Sequence, residues 1–142
     1  MTNVLASRAP AGACGPGPEA LLRELAQEDA ERIRHLARCG EVAAGVEVWR
    51  QGTPATGCVV VAAGTAEVHR GGRRAGRLEP GAIAGAAALL ARRPHTTTVV
   101  AATPLTVWWI DADALDRLVF EAPTFAGALV RRLARATVAA TF

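Results

Sequence analysis

PGAIAGAAALLARRPHTTTVVA, residues 80–101, places a turn, a short helix and a strand in immediate succession. Pro80-Gly81 predicts the turn. The alanines and leucines of 85–91 predict an apolar helix of one or two turns, which is stable only if it packs against the rest of the fold. Gly85 allows a ligand to approach the backbone closely, and the first N–H groups of a helix attract anions. The stretch therefore predicts a candidate anion site at the start of a packed helix.

Glycines punctuate the chain at short intervals before this stretch. Such dense turn signals predict short antiparallel strands, and Gly71-Gly72 predicts a tight hairpin. In the segment 46–50, VEVWR, the valines alternate with Glu47 and Trp49, so we expect Trp49 to be partly exposed or against a helix. The predicted fold class is mainly β with flanking helices: an antiparallel, eight-strand-like barrel or jelly roll over 41–110.

Helical patterns flank the predicted strands on both sides. We expect residues 1–17, rich in Ala, Gly and Pro, to be a flexible tail. Apolar residues at helical spacing predict helices over 18–39, ending at Cys39-Gly40. Asp111 is a good N-cap, and helical spacing continues after it, so two helices are predicted over 111–142. Residues 18–142 are therefore predicted to form one domain.

The last predicted helix carries an apolar stripe of Phe125, Leu129 and Leu133, with arginines largely opposite. Two interpretations of this stripe stay open. It can pack on the strands of its own chain, or it can pair two copies of the chain through a surface that the strands leave uncovered. We predict a homodimer through these three residues and their neighbours.

Composition limits the function. The 142 residues are 51% apolar and 20% charged, which is typical of one globular domain. A net charge of +3 is weak support for nucleic-acid binding, and no apolar run approaches the ~20 residues of a membrane span. Ser7 is the only serine, and no nucleophile motif or metal-ligand spacing occurs. We therefore predict no catalytic residue, no metal and no enzymatic activity.

The three cysteines, Cys14, Cys39 and Cys58, are far apart in the sequence. No Cys-x-x-Cys pair occurs, so neither a zinc site nor a redox dithiol is indicated. An odd number of cysteines without a signal peptide favours a reducing, cytoplasmic setting. Cys58 begins a continuously apolar run and is expected to be a core residue.

The stretch 80–101 resembles the phosphate-binding cassette of the cyclic-nucleotide-binding domain, the effector module of catabolite-activator-type regulators. The family pattern is Gly-Glu, a helix of small residues and Leu, Pro-Arg, a small residue, and a Thr-Val strand. The glycine-spaced stretches 45–52 and 64–68 also fit the family, and the resemblance covers about residues 21–136. The corresponding residues of the cassette are Gly85-Ala86, Ala87 to Leu90, Pro94-His95, Thr96 and Thr98-Val99.

Two positions depart from the family pattern. The glutamate that grips the ribose hydroxyl in the family is Ala86 here, and the arginine that pairs with the cyclic phosphate is His95. A bidentate Arg–phosphate contact is one of the stronger polar interactions, and histidine does not reproduce it. The ligand site implied by the resemblance, if it functions, consists of Ile83, Gly85, Ala86, Ala87, Ala88, His95, Thr96 and Thr97.

Two functions follow from this resemblance. In the first, the chain is a stand-alone regulatory or interaction module that keeps the fold and has weak or lost cyclic-nucleotide binding. Its last helix, which pairs two subunits in the family, would then form a homodimer or dock on a partner protein. No DNA-reading module follows this helix in the chain, which we expect to be a stand-alone protein.

In the second function, the chain senses cyclic AMP, cyclic GMP or another small ligand and controls a partner protein or transcription. A protonated His95 would supply positive charge below its usual pKa of about 6.5. Arg92 and Arg93 are close in sequence and are candidate replacement anchors. The alanines at 86–88 would instead suit an apolar ligand.

Overall fold

The computed structural model describes Cys14 and residues 17–141, and it describes side chains as far as residue 138. Most of the predicted tail, residues 1–13 and 15–16, lies outside this part of the chain. Five helices and eight strands occur in the described residues. The helices are α1 (Glu19–Leu22), α2 (Gln27–Leu36), α3 (Ala86–Ala91), α4 (Ala112–Glu121) and α5 (Pro123–Thr141), and the strands are β1 (Arg38–Val42), β2 (Glu47–Trp49), β3 (Gly57–Ala63), β4 (Ala66–Arg70), β5 (Arg73–Leu78), β6 (Ile83–Ala84), β7 (Thr98–Ala101) and β8 (Leu105–Asp111).

The strands form two four-stranded sheets, in the orders β1-β8-β3-β6 and β2-β7-β4-β5. All the paired strands are antiparallel. The predicted fold class, antiparallel β structure with flanking helices, is confirmed. The two sheets are compatible with the jelly-roll description, although no single closed barrel is formed. The predicted hairpin is also present, because Gly71 and Gly72 have positive φ angles and join β4 to β5.

Adjacent tryptophans on β8 divide the core into two clusters. Trp109 lies between the two sheets with residues such as Val48 and Val99. Trp108 lies on the other face of β8, in the cluster that contains Phe125 and the buried residues of the other helices. Both indoles are buried. Strand β8 thus forms the wall between an inter-sheet core and a sheet–helix core, as strand alternation predicts for neighbouring residues.

The N-terminal boundary differs from the sequence prediction. Ala37 adopts an extended conformation, and Cys39 and Gly40 belong to β1 instead of ending a helix. In β1, Cys39 lies opposite Trp108 and Gly40 lies opposite Val107. These long-range ladder contacts override the local helix-stop signal of the Cys-Gly pair.

The C-terminal helices are fixed by specific hydrogen bonds. Asp111 caps α4 as predicted, because its Oδ1 accepts from the Ala114 N–H at 2.8 Å. At the start of α5, the Thr124 N–H donates to Oδ2 of buried Asp29 at 2.9 Å, and the Thr124 hydroxyl donates to the same oxygen. Asp29 therefore ties α2 to the beginning of α5.

The apolar stripe of α5 faces the core of its own chain. Phe125 is 0% exposed and Leu129 is 2% exposed, while Leu133 is partly buried against the same cluster. The packing interpretation thus holds for Phe125 and Leu129, and the predicted role of these two side chains in an interface is corrected because both are covered within the chain. Val130 and Val138 project from α5 with 64% and 57% exposure.

Candidate ligand site

Gly85 is the N-cap of α3 and has a φ of 88° and a ψ of −5°. This left-handed conformation is costly for residues with a Cβ, so glycine is favoured there. The helix that follows is the one predicted from the sequence, over Ala86–Ala91. It ends at Arg92, whose φ of 56° makes it the single non-glycine residue with a positive φ in the described part. The Arg93 N–H then donates to the Ala88 carbonyl at 2.9 Å, as in a left-handed helix cap.

His95 lies on the segment between α3 and β7 and is buried, with 4% of its surface exposed. Its backbone N–H donates to the Thr53 carbonyl at 2.9 Å, and its own carbonyl accepts from the Gly52 N–H at 2.8 Å. The turn after β2 therefore holds the His95 backbone on both sides. Burial lowers the pKa of the His95 imidazole, because desolvation disfavours the charged form.

The indole of Trp49 fills the space between His95 and the start of α3. Its ring stacks on the imidazole with centroids 4.1 Å apart and planes inclined by 2°. A Cβ built on Gly85 would lie 2.7 Å from Trp49 Cη2 and 3.4 Å from His95 Cε1. Gly85 is therefore needed for space as well as for its φ angle. The two rings therefore lie directly against Gly85, the residue at which the family pattern implies that a ligand approaches the backbone.

Trp49 is the site residue that the sequence interpretation missed. It was expected to be partly exposed or against a helix, but it is 6% exposed and belongs to the inter-sheet cluster. The reason is a register shift between Glu47 and Trp49, where β2 pairs with β7. This irregularity buries Val48 and Trp49 together, although strict alternation places them on opposite faces. Nε1 of Trp49 has no hydrogen-bond partner within the described residues.

The remaining predicted site residues are divided among different environments. Ala86, at the family's glutamate position, is 2% exposed and packs in the sheet–helix cluster. Ile83 lies in β6 opposite Val60 and is half-buried. Ala88 and Thr97 are also half-buried, whereas Ala87 and Thr96 are exposed. Of the eight predicted site residues, Gly85 and His95 are close to each other, and Trp49 lies against both of them.

The two candidate replacement arginines line a different feature. Arg92 and Arg93 border a groove of about 600 Å³ between the end of α3 and the start of α4. Asp113 and Asp116 are on its other side, and neither Gly85 nor His95 lines it. An anion held by these arginines would therefore lie outside the ligand site that the family pattern implies around Gly85 and His95. The rest of the lining is Pro54, Ala55, Leu89, Leu90, Pro94, Ala112 and Leu115.

Comparison with known proteins shows the family of the chain. The family model described as the cyclic nucleotide-binding domain matches residues 40–122. The chain belongs to the cyclic nucleotide-binding domain family. This match includes the eight strands except for the first residues of β1, and it ends at the C-cap of α4.

Three known proteins are similar to the chain in sequence or in fold. A cAMP-dependent protein kinase regulatory subunit from Eremothecium gossypii is 34% identical over 92 residues, which cover 65% of the chain and 19% of that protein. The catabolite activator protein of Thermus thermophilus shares the fold, with a TM-score of 0.77 and 24% identity over 85% of this chain and 59% of that one. The N-terminal domain of a transcriptional regulator from Streptomyces coelicolor A3(2) has a TM-score of 0.66 and 25% identity, over 84% and 89% of the two chains. The cyclic nucleotide-binding domain described here thus spans about a fifth of its curated relative.

Proposed function

We propose that this chain is a non-enzymatic regulatory or interaction module of the cyclic nucleotide-binding fold with weak or lost binding of cyclic AMP and cyclic GMP. The observation that carries the proposal is the Trp49–His95 stack against Gly85. Two features disfavour nucleotide binding: charged contacts are missing, and the Trp49 ring takes up space beside Gly85.

The obstacle of charge concerns the two contacts that differ from the family pattern. Ala86 offers no acceptor to a ribose hydroxyl. Because burial lowers the pKa of His95, the imidazole carries no fixed positive charge for a phosphate at neutral pH. A hydrogen bond to a charged group contributes about 1.5–3 kcal/mol, so losing two of them weakens binding roughly several hundredfold or more.

The obstacle of space is the indole itself. A ligand seated against Gly85 must displace the Trp49 ring, which is almost completely buried. Exposing a large apolar side chain to water costs about 1.5–3 kcal/mol, and the stacking with His95 is lost as well. This cost adds to the loss of charged contacts, so the double change of Ala86 and His95 toward the family residues is not sufficient to restore binding.

The proposed module acts through protein contacts. Its partner would be a second copy of the chain, forming a homodimer, or a different protein, and we place it in the cytoplasm. Within the described residues, no helix has the length and apolar character required to cross a membrane. Residues 1–17 would be a flexible tail, and residues 18–142 one domain.

Calorimetry with cyclic AMP and cyclic GMP tests the proposal directly. We expect no measurable binding to the wild type up to about 1 mM nucleotide, which corresponds to a free energy weaker than about −4 kcal/mol. The double variant Ala86→Glu with His95→Arg should also fail. Adding Trp49→Ala should give measurable binding. Micromolar binding by the wild type would contradict the proposal.

A matched control separates a restored site from a general increase in charge. The control triple variant carries the carboxylate at exposed position 87 (Ala87→Glu, His95→Arg, Trp49→Ala) and has the same net charge. It should not bind. If the first triple variant is folded but does not bind either, the three side chains do not account for the loss.

The second candidate function is a sensor of a cyclic nucleotide or other small ligand that controls a partner protein or transcription. Family membership supports it, as does the name of the Eremothecium relative, a cAMP-dependent regulatory subunit. The groove bordered by Arg92 and Arg93 gives this function a specific test. If the wild type binds a nucleotide, Arg92→Ala and Arg93→Ala should each weaken binding about tenfold or more, whereas Arg74→Ala on the exposed β5 strand should not.

A further inference from the structure

Two of the three cysteines meet in the fold although 25 residues separate them. Cys14 and Cys39 form a disulfide, with their Cα atoms 5.1 Å apart. This distance is inside the range of about 4.4–6.8 Å that disulfides require. Sequence spacing alone did not indicate this pair. Both residues are half-buried, so small thiols can reach the bond.

We propose that Cys14 and Cys39 form a reversible thiol–disulfide site that fastens the segment before α1 to strand β1. Reduction would proceed by ordinary exchange with a small-molecule thiol. Its thiolate attacks one sulfur, forms a mixed disulfide and expels the other cysteine as a thiolate, which takes up a proton. A second thiol resolves the mixed disulfide. The protein gains two electrons and two protons, and the reagent leaves as its own disulfide.

The third cysteine does not compete in this chemistry. Cys58 is completely buried on β3, and burial raises the pKa of its thiol to about 12. The thiolate is the nucleophile in exchange reactions, so Cys58 stays protonated and out of reach. The chain therefore carries one reactive pair and one inert thiol, which limits exchange to the Cys14–Cys39 bond.

The surroundings of the pair suit the reduced form as well. Cys14 Sγ lies 3.7 Å from the carbonyl oxygen of Ala37. After reduction, the Cys14 thiol can donate a weak hydrogen bond to this acceptor. In a cytoplasmic setting, disulfides are usually transient and redox-sensing, which agrees with a site that has a partner in both states.

Cys14 and Gly17 both lie against the sheet–helix core. Gly17 lies on the ring of Trp108, and a Cβ at this position would collide with the indole. Trp108 is the residue opposite Cys39 in the β1–β8 ladder. The disulfide and the contact of Gly17 with Trp108 therefore lie at neighbouring positions of the same sheet. Helix α1 follows immediately, and Glu24 just after it receives a hydrogen bond from Arg132 Nη2 of α5 at 2.8 Å. Oxidation or reduction of the Cys14–Cys39 pair should therefore affect the part of the chain that contacts α5 through Glu24.

Thiol labelling of the full chain tests the pairing. After incubation with oxidised glutathione, we expect no cysteine to react with N-ethylmaleimide in the native protein. Two should react after mild reduction with dithiothreitol, and three after reduction in denaturant. When oxidised glutathione is added back, the number of reactive cysteines in the native protein should return to zero. A native oxidised protein with two or three reactive cysteines would overturn the proposal, as would a protein that cannot be reoxidised.

Melting temperature and proteolysis test the fastening. Reduction should lower the melting temperature by about 10 °C, from the loop-closure effect of a bond across 25 residues. Trypsin cleavage after Arg23, in the turn that follows α1, should become several times faster. Cys14→Ser should reproduce both effects without reductant, and Cys58→Ala should respond to reduction like the wild type. Equal cleavage of oxidised and reduced protein would overturn the fastening role.

Discussion

The imidazole of His95 lies flat on the indole of Trp49, with ring centroids 4.1 Å apart. This contact joins β2 to the segment after α3, next to Gly85. The two residues are 46 positions apart in the sequence. The stack is therefore a long-range contact within the domain, and protonation of His95 should affect the stability of the fold.

The first prediction concerns pH. Burial lowers the pKa of His95 in the folded domain, so the unfolded chain binds more protons than the folded one below the unfolded value of about 6.5. The contribution of neutral His95 to the free energy of unfolding should be fully present above that pH. It should be lost as the pH falls through the folded pKa. Thermal melts between pH 7.5 and 5 should show this loss. His95→Gln should reduce the slope.

His35 is the matched control for this experiment because it is exposed. His35→Gln should leave the pH dependence of the melting temperature as in the wild type. If His95→Gln and the wild type lose stability in parallel between pH 7.5 and 5, the burial of His95 does not contribute to the effect.

The second prediction compares two phenylalanines on adjacent helices. Phe125 is completely buried in the sheet–helix cluster, whereas Phe120 is 86% exposed. Phe125→Ala should lower the free energy of unfolding by about 3–5 kcal/mol, because it removes apolar contacts and leaves a cavity. Phe120→Ala should change it by less than about 0.5 kcal/mol. Urea denaturation measures both values, and equal effects would contradict the packing of α5 described above.

The third prediction concerns the proposed homodimer. Since Phe125 and Leu129 are covered within the chain, an α5 interface would have to use the face that carries Val130 and Val138. We expect a dimer mass by light scattering at micromolar concentration. Val130→Asp should shift it to the monomer mass, because an unpaired charge is costly to bury.

Val46, which is 41% exposed and lies outside α5, provides the control for this experiment. Val46→Asp should leave the dimer intact. Leu129→Asp should unfold the chain instead of dissociating a folded dimer. A wild-type protein that scatters as a monomer throughout this concentration range would exclude the homodimer.

Local chemistry accounts for the parts of the fold that the sequence predicts well. The positive φ angles of Gly71 and Gly72 follow from the hairpin between two strands, and Asp111 accepts the cap hydrogen bond that its position suggests. In both cases the interactions connect residues within a few positions, so the sequence contains the information directly. The short helix after Gly85 was also predicted, from its alanines and leucines, but it is packed in place by Ala86 and Leu89 in the sheet–helix cluster.

Long-range interactions account for what the sequence does not predict. The burial of Trp49 depends on the irregular pairing of β2 with β7, which alternation does not detect. The Cys14–Cys39 pair depends on where β1 places one partner. The predicted pairing of two chains through Phe125 and Leu129 was wrong because packing inside one chain and pairing of two chains require the same apolar pattern. Each of these features depends on contacts between segments that are distant in the sequence.

Strand β5 ends the sheet order β2-β7-β4-β5, and this position has a consequence for solubility. Its outer edge presents unpaired backbone groups, which invite strands from other molecules to add to the sheet. Arg73, Arg74 and Arg77 project from this strand and are exposed. Two molecules approaching edge to edge would bring these like charges together in the dehydrated space between strands. We therefore expect these arginines to disfavour edge-to-edge aggregation through β5.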